Sequence, residues 1–454
     1  MTGSNNENHV LSLPPIQRLP VELLAEIFLL CTSTRSPPMI HVSTEPPTSL
    51  SRVCRTWREV ALNLPRLWTA LSVDMDDLAV GAEEKKSLVN LVHQWVARAN
   101  HLPLTFRFKL TGVGTDRPTA FNAFVTPFAH RLRYLDIASW IDRESWSHLQ
   151  FPVLEVVILH HWVVEDINLR SARLPLPWNQ LTHLCIGYPL RLADLREIFG
   201  ECHRLQQGIF ALFCAPPPSA ESHEPKQRVF LHHLVDLTIS FLRSIDVAIL
   251  NPFELPALRT LRIEPDERNG GASWPDVAYD RFFQQLLPIQ KLRLGSTRGL
   301  PLPVLILLLK ATPHVFELDL QVHDERRDIF YFLQNYPKDF ILPNLTILVV
   351  ELAPTCWLRR NSMEIKIISN VVRSRIGTKE EGSRFEKLAL YLGEGPEAEG
   401  VVDQLTTELQ PWVDDGFHLE FRGGASNNWS GCLGFAVSQY WDGGLVGLDP
   451  FPWT

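Results

Sequence analysis

Cysteine is sparse and scattered in this chain. Its 454 residues include seven cysteines, Cys31, Cys54, Cys185, Cys202, Cys214, Cys356 and Cys432. The number is odd and no two stand at CxxC spacing, so neither a disulfide framework nor a zinc cluster is expected. A reducing, intracellular compartment, cytoplasmic and/or nuclear, fits that usage. A surplus of positive charge is missing as well. A net charge of −8 and a pI near 6.1 argue against a nucleic-acid or membrane-surface partner. The longest apolar run, residues 300–309, is interrupted by Pro301 and Pro303 and is too short to span a bilayer. The N-terminal stretch MTGSNNENHVLS has no basic and apolar run, so no secretory signal is expected and residues 1–15 read as disordered.

Signatures of catalysis are lacking too. Gly393-Glu394-Gly395-Pro396 has no following lysine and no strand–helix context, so it is not a phosphate loop. His160-His161 and His232-His233 are adjacent pairs, and neighbours on a strand point to opposite sides, which disfavours joint chelation. No GxSxG elbow occurs, and no cysteine stands in a nucleophile's setting. The acidic turn Asp74-Met75-Asp76-Asp77 reads as solvated surface. The expectation is a protein that is not an enzyme, with no cofactor, no metal and no catalytic residue.

What is present begins at residues 16–71. Pro20 suits a first helical turn, where its missing N–H is not needed, and Glu22 sets negative charge at the positive end of that helix. Leu23, Ile27 and Cys31 recur at four-residue spacing, with Leu24 and Phe28 on the adjoining stripe, which predicts one broad apolar face. A second helix is predicted with Leu50, Val53, Cys54, Trp57, Ala61 and Leu64 on one face and Arg52, Arg55, Arg58 and Glu59 in water. Pro65 ends it, and Leu67-Trp68 follows as an anchor.

The pattern Leu19-Pro20-x-Glu22-Leu23, Ile27-Phe28, Leu50-Ser51-x-Val53-Cys54-Arg55-x-Trp57-Arg58 and Leu67-Trp68 resembles an F-box, in the divergent form frequent in mushroom-forming fungi. That resemblance implies a small all-helical module docking on the Skp-type adaptor of a cullin–RING ubiquitin ligase. The residues it nominates for adaptor contact are Leu19, Pro20, Leu23, Ile27, Leu50, Val53, Cys54, Trp57, Leu67 and Trp68. A Pro-rich insert at 33–48 departs from the usual short connection between the first two helices. An ordinary helical hairpin capping a larger domain is the alternative.

Residues 83–100 predict a strong helix, with Leu88, Leu91, Val92, Trp95, Val96 and Ala99 in one stripe, inside a linker region 72–103. Residues 104–110 alternate apolar and polar, as a strand does. From there the chain repeats a Leu-x-x-Leu-x-Leu pattern starting at Leu132, Leu154, Leu181, Leu234, Leu258, Ile289, Val315, Leu345 and Phe385, with a degraded copy at Leu205. The spacings run from 22 (Leu132 to Leu154) to 40 (Leu345 to Phe385), which suits one strand and one return segment per unit. Helical returns are predicted at 192–199, 279–287, 303–312 and 327–336. Pro152, Pro256, Pro313 and Pro343 stand two residues before their pattern starts, where a strand ladder has not begun.

This part resembles a leucine-rich-repeat solenoid with a curved parallel sheet, over 104–422. The Asn or Cys such repeats usually carry eight residues into each unit is replaced, for example by Trp140, Trp162 and Pro189, so the arc is expected to be irregular. An ordinary α/β domain with a parallel sheet is the alternative. Residues 215–228 and 266–273 read as loops, and 423–454 as a cap or tail. In such a solenoid the non-leucine strand positions line the concave face. Arg259, Arg262, Lys291 and Arg293 would there form a basic band beside Glu317 and Asp319, able to orient a charged client or else to neutralise one another. The expected function is substrate recognition within a Skp–cullin–F-box ligase, for an unknown client protein; a repeat scaffold outside the ubiquitin system is the alternative.

Overall fold

The computed structural model describes residues 16, 19–32, 40, 44–75, 82–110, 123–139, 146–160, 174–212, 228–241, 250–265, 284–295, 300–322, 329–334, 341–352, 362–376, 385–392 and 396–423. Residues 1–15 and 424–454, most of the 33–48 insert and nearly all of the two predicted loops fall outside them. The architecture is α/β, built on one sheet of thirteen strands that are all parallel.

In the large sheet the strands are β1 Ala70–Asp74, β2 Leu104–Leu110, β3 Leu132–Ser139, β4 Val156–Leu159, β5 His183–Leu190, β6 Gln207–Leu212, β8 Asp236–Phe241, β10 Thr260–Pro265, β11 Lys291–Leu294, β12 Glu317–Val322, β13 Ile347–Leu352, β14 Lys387–Leu392 and β15 His418–Gly423. They lie side by side in sequence order. Two residues of β7 (Val229–Phe230) pair separately with two of β9 (Phe253–Glu254). The helices are α1 Val21–Thr32, α2 Arg55–Leu62, α3 Ala82–Arg98, α4 Leu192–Glu201, α5 Leu302–Lys310, α6 Ile329–Gln334, α7 Ser362–Ile376 and α8 Pro396–Asp414. None of them is long and apolar enough to cross a membrane.

Register explains the repeated leucines. Leu237, Leu261, Leu292, Leu318, Leu348 and Leu388 align strand by strand and are all buried. Ile239, Ile263, Leu294, Leu320, Val350 and Leu390 form a second buried row two residues on. Period-two alternation puts both rows on one face, and stacking neighbours fuses them into a core that no single unit could close. Burying each such side chain contributes about 1.5–3 kcal/mol.

Two backbone devices hold the units in step. The residue just before each strand donates its N–H to the matching carbonyl of the preceding unit: Thr182 to Glu155, Gln206 to Thr182, Val235 to Gln206, Arg259 to Val235 and Gln290 to Arg259, each at 2.8 Å. The ladder continues through Phe316, Thr346, Glu386 and His418. A turn precedes it, closed by Leu154 N–H on Phe151 O, Leu258 on Leu255, Val315 on Thr312 and Leu345 on Leu342. Pro152, Pro256, Pro313 and Pro343 occupy the second position of these turns, where a fixed φ and a missing donor suit the geometry. Pro189, at one of the positions where an Asn would ladder, sits where the β5–β6 register slips after Ile186.

Two boundaries differ from expectation. The sheet begins at Ala70, not Leu104, because β1 pairs in register with β2 and α3 is the crossover between them. The described parts of 72–103 thus hold the end of β1 and all of α3, which matches the helix expected over 83–100. The N-terminal helices also share their core with the sheet, since Leu24, Phe28, Leu67 and Trp68 belong to the buried cluster that runs through to Phe417. At the other end β15, which carries no copy of the leucine pattern, adds a strand through Leu388↔Leu419 and Leu390↔Phe421.

Candidate functional site: an exposed apolar rim and a charged sheet face

The broad apolar face of α1 is divided in two. Leu24 and Phe28 are buried, and Phe28 meets Trp57 of α2 at 4.9 Å between ring centroids. Leu23 and Ile27, one helical position away, are 52% and 37% exposed, and Leu30 is 73% exposed. Val21 (52%) and Val53 (60%) extend the exposed apolar set. Isolated exposed apolar residues are ordinary; here five fall on two short stretches, Val21, Leu23, Ile27 and Leu30 on α1 and Val53 just before α2.

The second helix is shorter than its pattern predicts. Leu50–Arg52 forms a 3-10 turn, and α2 starts only at Arg55. Cys54 is the reason: its backbone is extended, and its Sγ accepts from Trp57 N–H at 3.5 Å as an N-cap. The break turns Val53 outward.

Of the ten residues nominated for adaptor contact, Leu50, Leu67 and Trp68 are buried in the chain's own core, which corrects their expected place at a docking edge. Trp68 Nε1 donates to Ala61 O at 2.8 Å, its ring meets Trp95 of α3 edge-on at 4.8 Å, and the Arg98 guanidinium lies 4.4 Å above it. These contacts make it the pin between the helical pair and the first crossover. Leu19, Cys54 and Trp57 are half-buried, whereas Pro20, Leu23, Ile27 and Val53 are exposed. Val21 and Leu30 were missed in the sequence because four-residue spacing from Leu23 passes over them.

The second arrangement lies on the sheet face opposite the leucine rows. Arg262, Arg293 and Asp319 align in one row and Lys291 and Glu317 in the row beside it. The sheet thus brings five of the six nominated client residues together. Arg259 stays apart: it precedes β10, and its Nη1 donates to Leu258 O at 3.2 Å. The basic band is not open. Arg262 donates to Asp236 at 2.6 Å, Lys291 bonds Glu317 at 2.6 Å, and Arg293 lies 3.6 Å from both Glu264 and Asp319. Mutual neutralisation across neighbouring strands describes this band. Asp236 and Glu264 were not nominated, although Asp236 holds the same place in Leu-x-x-Leu-x-Leu as Lys291; Glu264 falls just past the pattern's end.

Burial pushes the Asp319 carboxyl up to about 6; Arg293 opposes the shift, and Glu264 and Glu317 add to it. Asp236 is also raised by burial, against the pull of Arg262. Towards the N-terminal side, Asp136 is fully buried between Arg107 at 3.5 Å and His160 Nε2 at 2.7 Å. Further along, Ile158, Cys185, Ile209 and Ala211 form a small separate apolar cluster on this face. Burial raises the Cys185 thiol, which removes thiolate character. His160 is thus a paired core histidine, and no group of three potential metal ligands occurs among the described residues. His161 lies outside them.

No protein-family model matches the chain, and no curated protein matches it.

Proposed function

We propose that the chain is a substrate receptor of a cullin–RING ubiquitin ligase. It would belong to the F-box-like proteins its N-terminal pattern resembles, with a leucine-rich-repeat-like arc behind. The observation that carries this reading is the outer stripe of α1: Leu23, Ile27 and Leu30 stay in water although their neighbours Leu24 and Phe28 are buried. In this reading Pro20, Leu23, Ile27, Val53 and the edge of Trp57 meet the Skp-type adaptor, while Leu50, Leu67 and Trp68 brace the surface from beneath. The repeated strands form an irregular solenoid whose polar face holds a client. The chain itself makes no covalent bond. Its contribution to rate is to hold client lysines near a ubiquitin-loaded enzyme, a proximity effect.

A second reading has its own support. The pinning of Trp68 against Trp95 and the start of β1 at Ala70 tie the helical pair to the sheet as a cap would. A scaffold outside the ubiquitin system would need no more than that. Affinity purification of tagged chain, followed by mass spectrometry, separates the two. Wild type should recover a Skp-type adaptor and a cullin, and Leu23→Asp should lose both while keeping client proteins. Recovery of clients alone by wild type favours the scaffold.

A further inference from the structure

The rim is charged differently on its two sides. At 100° per residue, the exposed apolar stripe Leu30, Leu23 and Ile27 lies between two others on α1. On one side are Glu22 and Glu26, both exposed; on the other are Leu24 and Phe28, which lead through Phe28–Trp57 to α2. Residues 21–32 contain no basic side chain. Around α2 the sign reverses, with Arg52, Arg55 and Arg58 exposed beside Val53. Glu59 pairs with Arg55 at 2.9 Å, and Arg58 Nε donates to Ser51 O at 2.9 Å. Both members of the Arg55–Glu59 pair are largely exposed, so it holds Arg55 only weakly. Glu22, Glu26 and Arg52 have no ion-pair partner among the described residues.

Resting on the reading above that the rim docks an adaptor, we propose that the occupant carries an apolar ridge bordered by acidic side chains towards Arg52 and Arg55 and by basic ones towards Glu22 and Glu26. The charges fix which way round the partner lies and speed its arrival, while the apolar stripe supplies most of the hold. Rim charges act in this manner, on association rate and salt dependence more than on dissociation. Burying the exposed parts of Leu23, Ile27, Leu30 and Val53 is non-directional and could not choose between the two orientations.

The test is stopped-flow association of the full chain with a purified fungal Skp-type adaptor, across roughly 0.05 to 0.5 M salt, where the screening length falls from above 10 Å to a few Å. Arg52→Glu with Arg55→Glu should slow association about tenfold or more at low salt, as should Glu22→Lys with Glu26→Lys. Each difference should shrink as salt rises, with dissociation changed less than threefold. The milder Arg52→Gln with Arg55→Gln guards against misfolding, and Glu399→Lys on α8 is the remote control for a charge change. Charge variants that associate at the wild-type rate at low salt, or whose deficit is as large at high salt as at low, overturn the proposal alone. Absence of any adaptor binding by wild type overturns the docking reading, and this proposal with it.

Discussion

Phe28 and Trp57 pack with ring centroids 4.9 Å apart and planes inclined at 57°, and this contact decides which half of α1 the chain keeps for itself. A helix that buries one stripe against its neighbour leaves the next stripe, a hundred degrees away, in water. Phe28→Ala should therefore cost about 3–5 kcal/mol of stability. Leu23→Asp, at a half-exposed position, should cost about 0.5 kcal/mol or less. Chemical denaturation of both variants checks the split, and equal losses would show that the outer stripe is structural.

Arg375 is fully buried in α7 and donates from Nη1 to Leu342 O at 3.0 Å and from Nη2 to Ile341 O at 2.9 Å. Leu342 has a positive φ of 51°, uncommon for a leucine. The guanidinium thus secures the turn that feeds β13. Replacing it by Met keeps length and apolar packing but takes the side-chain donor from Ile341 O, a loss of about 1–3 kcal/mol, and leaves Leu342 O with the Leu345 N–H alone. Arg375→Met should lower the denaturation midpoint clearly, and a variant as stable as wild type would deny the role.

Asp319 makes stability depend on pH with a definite sign. Its folded carboxyl sits at about 6, above the unfolded value near 4, so the folded state binds the extra proton between them. The associated stability is present below pH ~4 and is lost as pH rises through ~6. Asp319→Asn removes that slope, so its stability relative to wild type should rise from pH 4 to pH 6. Denaturant titrations at both pH values read this; parallel pH profiles would contradict it.

Thiol labelling separates the cysteines by burial. Cys31 is exposed, whereas Cys185 and Cys202 are buried, and the Cys185 thiol is pushed up by burial. Peptide mapping after brief alkylation at neutral pH should find Cys31 modified and the other two protected until the chain unfolds. Early modification of Cys185 would mean that its cluster with Ile158 and Ile209 opens readily.

Much of the fold was legible because burial on a parallel sheet writes a fixed period. All ten pattern starts, from Leu132 to Phe385, enter a strand within two residues, and the predicted helices at 192–199, 303–312 and 327–336 have counterparts in α4, α5 and α6. β1 was hidden because Ala70-Leu71-Ser72-Val73 is short and follows directly on the Leu67-Trp68 anchor. β15 was hidden because its two core residues, Leu419 and Phe421, stand beside the end of the pattern without a leading Leu-x-x. The site was harder to read. Spacing shows that α1 is apolar over a wide arc, but only the position of Trp57 tells which part is spent on the core. Leu67 and Trp68 looked like docking residues because a turn anchor and a partner anchor share one composition. For the Arg262–Arg293 band, neutralisation by Glu317 and Asp319 was already one of two readings; the further partners Asp236 and Glu264 appear only once the ladder is in place.

The most direct measurement is calorimetric titration of a purified Skp-type adaptor into the full chain, alongside the double variant Leu23→Asp with Ile27→Asp at matched thermal stability. Wild type should give saturable one-to-one binding with the negative heat-capacity change of apolar burial, and the double variant should give none. Identical isotherms for the two proteins would contradict the claim that α1 keeps an apolar stripe open for a partner.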